Sequence, residues 1–171
     1  MKLVSPNPEL EQAYLDYISE WEKIEEEIVP YAARREGLSY SELLSRWEFE
    51  STEMVRDKGL VPASLFFYMD NDNRMIGALH IRHELNEYLM NYGGHIGYGI
   101  RPQERKKGHA VKMLGMSLPL AKELGLDRVL VCCDKINMGS ARTIIKNGGI
   151  LENEQELKNE IVQRYWINLG E

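Results

Sequence analysis

Between residues 8 and 35, apolar and aromatic side chains recur at Leu10, Tyr14, Tyr17, Ile18, Trp21, Ile24 and Ile28. That spacing predicts a helix with one buried stripe. Asn7-Pro8 supplies a cap and a first-turn proline, and Pro30 interrupts or kinks the helix near its end. Ser39 caps a second helix over about 40–55, with Leu43, Leu44, Trp47 and Met54 facing inward, and Pro62 closes the helical region. From there the period changes to two. Strands are predicted at Ser64–Met69 and Met75–Arg82, joined by the turn residues Asp70-Asn71-Asp72-Asn73. A connection over 84–94 ends in Gly93-Gly94, followed by a strand at His95–Arg101 and a polar loop at 103–109. Ala110–Leu124 reads as an amphipathic helix closed by Gly125, Arg128–Cys133 as a buried strand, and Gly139–Asn147 as a short helix ended by Gly148-Gly149. A strand near 150–152, a polar turn and the alternating Ile161–Ile167 finish the chain. Two helices, an antiparallel run and then β-loop-α-β-α-β-β describe a single α/β (α+β) domain over 1–171.

Composition narrows the function classes. With 171 residues the chain builds its own core without disulfides or a structural metal. Its formal charge of −6 argues against a nucleic-acid or anionic-membrane binder. The two cysteines, Cys132 and Cys133, are adjacent and cannot readily bridge each other, which suits a reducing compartment. The first residues lack a signal-peptide core, and no apolar run is long enough to span a bilayer, so a cytoplasmic protein is expected.

The charge is unevenly spread. Residues 1–60 carry 14 acids and 7 bases. Residues 101–112 carry five bases, Arg101, Arg105, Lys106, Lys107 and Lys112, against one acid, Glu104. There a strand runs into a basic loop with Gly108, which opens a helix. Successive backbone N–H groups and a helix N-terminus make such a loop a place for a pyrophosphate. Neither a dinucleotide fingerprint nor a Walker A loop is present: Gly97-Tyr98-Gly99 begins like the former, but Pro102 follows where a helix would start.

Arg105-x-x-Gly108-x-Ala110 resembles the R/Q-x-x-G-x-G/A loop of the GNAT superfamily of acetyl-CoA-dependent N-acetyltransferases. Gly97–Pro102 upstream and Asn137-x-x-Ser140 with Lys146–Gly149 downstream resemble that family's flanking segments, in its order, over about half the chain. Arg82–Asn86 followed by Gly93-Gly94-His95 is similar to an uncharacterised bacterial branch. The resemblance implies a GNAT fold: a central mixed, mostly antiparallel sheet flanked by helices, with splayed central strands. Residues 1–60 would then be helices bordering an acceptor cleft, and 64–167 the acetyl-CoA-binding core. It implies acetyl-CoA as cosubstrate, no metal, a small-molecule or peptide amine as acceptor, and room for a homodimer. Gly99, Ile100, Arg101, Arg105, Lys106, Lys107, Gly108, His109 and Ala110 would hold the cofactor's phosphates and upper arm, and Asn137 and Ser140 its pantetheine.

His95 falls where many family members carry a glutamate that deprotonates the amine, and an ordinary imidazole pKa suits that task. Glu84 and His83 are the second choices. The family's tyrosine that protonates the leaving thiolate would stand seven residues beyond Asn137, at Ile144, so it is missing; Tyr98 is the substitute on the central strand. A catalytically silent acyl-CoA-binding sensor on the same fold is the rival reading, and Ile144 is its support. The acidic first third hints at a cationic acceptor, against the plainer reading of a solvated helix face.

Overall fold

A computed structural model describes residues 1–170, and among them the chain forms seven strands and four α-helices. The first strand, β1 (Lys2–Val4), is too short for any period to reveal; it pairs antiparallel with the end of β2 (Ala63–Met69). Helix α1 (Glu11–Lys23) follows a 3-10 turn at Pro8–Leu10 whose cap is Asn7, its side chain accepting the Glu9 N–H. It does not continue to residue 35. Ile24 is nearly half exposed, Glu25 turns into the left-handed region at φ 56°, and only a 3-10 turn at Tyr31–Ala33 interrupts the coil that follows. The acids Glu25-Glu26-Glu27 oppose the negative end of the helix dipole, and Pro30 disfavours helical backbone in the residue before it. Helix α2 (Tyr40–Glu50) carries a complete capping box between Ser39 and Glu42. It ends earlier than expected, and Met54 lies exposed on a 3-10 turn at Glu53–Lys58.

Strands β2 and β3 (Met75–Arg82) form a hairpin whose turn is closed by Asp70 Oδ1, accepting the N–H groups of Asp72 and Arg74. There follow β4 (Ile96–Ile100), α3 (His109–Glu123), β5 (Arg128–Asp134), α4 (Met138–Lys146), β6 (Ile150–Leu157) and β7 (Glu160–Asn168). Strand β6 outruns the predicted 150–152 because its residues are mostly exposed and carry no apolar alternation. The strands make two antiparallel sheets, β1-β2-β3-β4 and β5-β7-β6.

Helices α1 and α2 cover one face of the first sheet, where Tyr14 stacks on Phe67 at 5.7 Å and Trp47 meets Phe67 edge-on at 5.6 Å. Two buried aromatic polar atoms there find partners, Tyr14 Oη donating to Ala33 O and Trp47 Nε1 to Ala32 O, both at 2.8 Å, whereas Tyr17 Oη and Trp21 Nε1 have none. Helices α3 and α4 contribute Met113, Leu114, Ala141 and Ile144 to a second core, shared with Ile81 and Ile96 of one sheet and Val129, Val131 and Tyr165 of the other. At about 1.5–3 kcal/mol for each large apolar side chain, this shared core is what holds the two sheets together.

The sheets meet at one seam between β4 and β5. His95 N–H donates to Leu130 O at 2.7 Å, and Leu130 N–H donates to His95 Nδ1 at 2.9 Å. Beyond this point no backbone hydrogen bond joins β4 to β5 among the described residues, and the strands part.

Candidate functional site

The gap opened by the parting strands continues into a cavity of about 540 Å³. Three of the segments that wall it carry predicted residues. Strand β4 contributes Tyr98, Gly99 and Ile100; the loop into α3 contributes Arg105, Lys106, Gly108, His109 and Ala110; the start of α4 contributes Asn137 and Ser140. The sequence placed all of these in one site, and the fold brings them together. The loop turns through left-handed backbone at Lys106 (φ 63°) and again at Gly108 (φ 82°), which is the N-cap of α3. No side chain caps this 15-residue helix, so its first N–H groups remain available at the cavity wall. A Cβ on Gly108 would meet nothing within 4 Å. His109 lines the same wall with a buried Nδ1 that has no partner. Free amides at a helix start, a nearby guanidinium and an ammonium make a cradle for a pyrophosphate-sized anion.

Four predicted residues lie elsewhere. Arg101 turns away from the cavity and is buried: its Nε donates to Glu20 of α1 at 2.5 Å and its Nη1 to Met75 O at 3.1 Å. Burial pushes the Glu20 carboxyl up, but the Gln103 N–H and Arg101 outweigh it and hold it below the ordinary range. The pair pins α1 to the loop and has no contact with the cavity. Lys107 folds back onto Glu104 at 2.9 Å. Glu104 also takes Arg74 at 2.6 Å, and these two cations hold its carboxyl down at about 2. Arg105 in turn pairs with Glu26 at 2.7 Å. Two of the segment's five cations are thus met by acids from outside it, Lys107 shares Glu104 with Arg74, and Lys106 and Lys112 are without an ion pair among the described residues.

Glu84 is gripped by both arms of Arg56, at 2.9 and 2.7 Å, outside the cavity. His95 is only 6% exposed; its Nδ1 is taken by Leu130, and its ring sits 6.2 Å from Trp166, lining a different cavity with Arg128. Burial, with Arg82 and Arg128 nearby, pushes its pKa down to about 4. Neither geometry presents a base to the gap between the strands.

Tyr98 is placed otherwise. Its Oη lies 2.8 Å from Ser140 Oγ, and Ser140 N–H donates to Asn137 Oδ1 at 3.0 Å. Asn137 thus caps α4 and fixes the serine against the tyrosine. Burial pushes the phenol up to about 12. Ile144, at the position of the missing tyrosine, is fully buried in the core and does not face the cavity; Thr143, beside it, does. Sequence reasoning missed Thr143 as a lining residue, and likewise Trp21 near the end of α1 and Glu26, Glu27 and Val29 of the coil after it, all of which reach the cavity. Gly99 is a signal for the last of these: a Cβ there would lie 2.0 Å from Val29 O.

A family model described as "Acetyltransferase (GNAT) domain" matches residues 6–150. None of the curated proteins matches the chain in sequence. Among solved structures, a point mutant of a spermidine N-acetyltransferase from Vibrio cholerae is similar with a TM-score of 0.66 at 15% identity, over 99% of this chain and 95% of that one. A ribosomal-protein-S5-alanine acetyltransferase from Vibrio fischeri is similar with a TM-score of 0.67 at 17% identity, over 98% and 91%. At such identities the likeness is one of fold. Among the described residues, no group of His, Cys, Asp and Glu is placed to hold a metal ion, and no helix is long and apolar enough to cross a membrane.

Proposed function

The chain belongs to the acetyltransferase (GNAT) domain family, and from that premise we propose that it transfers the acetyl group of acetyl-CoA to a primary amine by direct attack. The carrying observation is the uncapped start of α3 behind Arg105-Lys106, opening into the same cavity as the Tyr98–Ser140 pair. Acetyl-CoA supplies the activated thioester. The α3 amides, Arg105 and Lys106 bind its phosphates, and the unpaired edge of β4 past Gly97 offers backbone groups to its pantetheine arm. Tyr98 holds a proton at Oη, and a phenol kept neutral by burial is suited to give it to a departing thiolate. Ser140 orients that hydroxyl. The spermidine and ribosomal-protein acetyltransferases among the similar structures are consistent with an amine acceptor.

The test is to incubate the pure protein with acetyl-CoA and a panel of amines while following free thiol. Thiol release with at least one amine is the expected result. In the Tyr98→Phe variant kcat should fall about tenfold or more, with the KM for acetyl-CoA little changed. Tight CoA binding without thiol release for any amine would favour the silent-sensor reading. The burial of Ile144 weakens that alternative, because a tyrosine there would not face the cavity in this chain.

A further inference from the structure

We infer that Glu26 is an internal latch on the cofactor loop, occupying Arg105 until a phosphate displaces it. The inference rests on the acetyl-CoA reading and concerns how that site is regulated. Arg105 is the arginine of the phosphate-loop motif, yet its guanidinium is already engaged on two sides. Its Nη2 lies 2.7 Å from Glu26 Oε2, and its Cζ sits 4.7 Å above the Trp21 ring. Its Nε donates to Ile100 O at 3.3 Å, which holds the arm against the end of β4. A carboxylate and a phosphate both present anionic oxygens to which the same guanidinium donates, so the Glu26 carboxylate stands where a phosphate oxygen would bind.

The coil after α1 is built to deliver that carboxylate. Glu25 turns the chain in left-handed backbone directly before Glu26. Downstream, Arg34 ties the coil down, donating from Nε to Ile28 O at 2.9 Å and pairing with Glu27 at 2.9 Å. Val29 rests its carbonyl on β4, in the space that Gly99 leaves by lacking a Cβ. Held at both ends, the coil lays Glu26 along the cavity beside Trp21. The Glu26 side chain is about half exposed, so the pair is weak enough for a multiply charged ligand to replace. Cofactor binding then becomes an exchange at Arg105, and the intrinsic affinity of the loop is reduced by the latch.

Calorimetric titration of CoA into the full chain tests this at fixed ionic strength. Glu26→Gln should bind CoA about threefold tighter than wild type. Glu27→Gln removes an equal charge from the same coil, but one whose partner is Arg34, and should move the affinity much less. Arg105→Gln should weaken binding about tenfold. Adding Glu26→Gln to Arg105→Gln should then give no further gain, because the latch has nothing left to hold. Equal tightening by Glu26→Gln and Glu27→Gln would reveal a general field effect and overturn the latch. So would a gain from Glu26→Gln that persists without Arg105, or weaker binding in Glu26→Gln, which would make Glu26 a support for Arg105. If wild type binds no CoA at all, the functional reading fails and the latch with it; if wild type binds and Glu26→Gln matches it, only the latch fails.

Discussion

His95 shows how far a single position can be read from sequence. A histidine just ahead of the glycine-rich strand stands where a base is expected, and its type suits the task. Its direction is decided by the seam: Nδ1 accepts the Leu130 N–H, and the peptide N–H of the same residue donates to the Leu130 carbonyl. Where two strands stop pairing is a property of the whole sheet, and local alternation carries no trace of it. The geometry makes His95 a positioning residue, and Asn is the substitution that separates the two roles. Asn Oδ1 reaches about as far as Nδ1 and accepts the same N–H, but it cannot take up a proton. His95→Asn should therefore keep kcat within a few-fold of wild type, whereas a catalytic base lost in this way would lower it by about a hundredfold or more. Stability gives a second readout. The folded pKa of about 4 lies below the unfolded value of about 6.5, so the unfolded chain binds more protons between them. The stability contributed by the neutral ring is complete above about pH 6.5 and is lost as pH falls through 4. Urea melts at pH 7.5 and pH 5 should show a smaller acid loss in His95→Asn than in wild type. Part of the slope should survive, because burial pushes His80 down to about 3 as well.

At the scale of elements, the legible features were those whose cause is local. The Ser39 cap, the Asp70 turn and the glycine at the start of α3 each act within a few residues, and each stands where the sequence put it; Glu42 completes the Ser39 cap as a capping box. The misread ones depend on partners far along the chain. The apolar spacing from Leu10 to Ile28 suggested one long helix, but only its first half has a face to bury; Tyr14, Tyr17, Ile18 and Trp21 meet the first sheet, and Ile24 meets solvent. The basic loop was misjudged for the same reason. Its cations are visible in sequence, but the partners Glu20 and Glu26 lie on other elements, and its one acid, Glu104, is shared between Lys107 and the distant Arg74. Arg101 was assigned to a ligand and instead fastens α1 to the end of β4. Buried ion pairs of this kind contribute modestly as a pair, but leave an uncompensated charge when one partner is removed. What the sequence counted as ligand-binding charge is in part the fastening that sets the loop's shape.

At the scale of the whole molecule, the cavity exists because two sheets touch at one place and diverge from it, and Gly94 permits that touch. Its backbone, at φ 65° and ψ −176°, is a conformation that is essentially restricted to glycine. A Cβ there would lie 2.5 Å from Leu130 O and 3.3 Å from Cys132 N, both fixed backbone atoms of β5. Gly94→Ala thus adds strain and drives the strands apart at the seam, which also removes the two His95–Leu130 hydrogen bonds. Gly125, after α3, isolates backbone strain from the clash: its φ of 86° also strains alanine, though less than the Gly94 conformation does, and a Cβ there would meet nothing within 4 Å. Gly125→Ala should cost about 1 kcal/mol and leave CoA affinity unchanged. Gly94→Ala should cost about 3 kcal/mol or more in a urea melt, the sum of strain and a buried clash. It should also weaken CoA binding, although no side chain of the cavity has been touched, because the angle between β4 and β5 sets the distance from the α3 start to the Tyr98–Ser140 pair. Equal stability losses in the two variants, with CoA affinity intact in both, would mean that α3 and α4 alone hold the cavity open and that the seam only fills the space between the sheets.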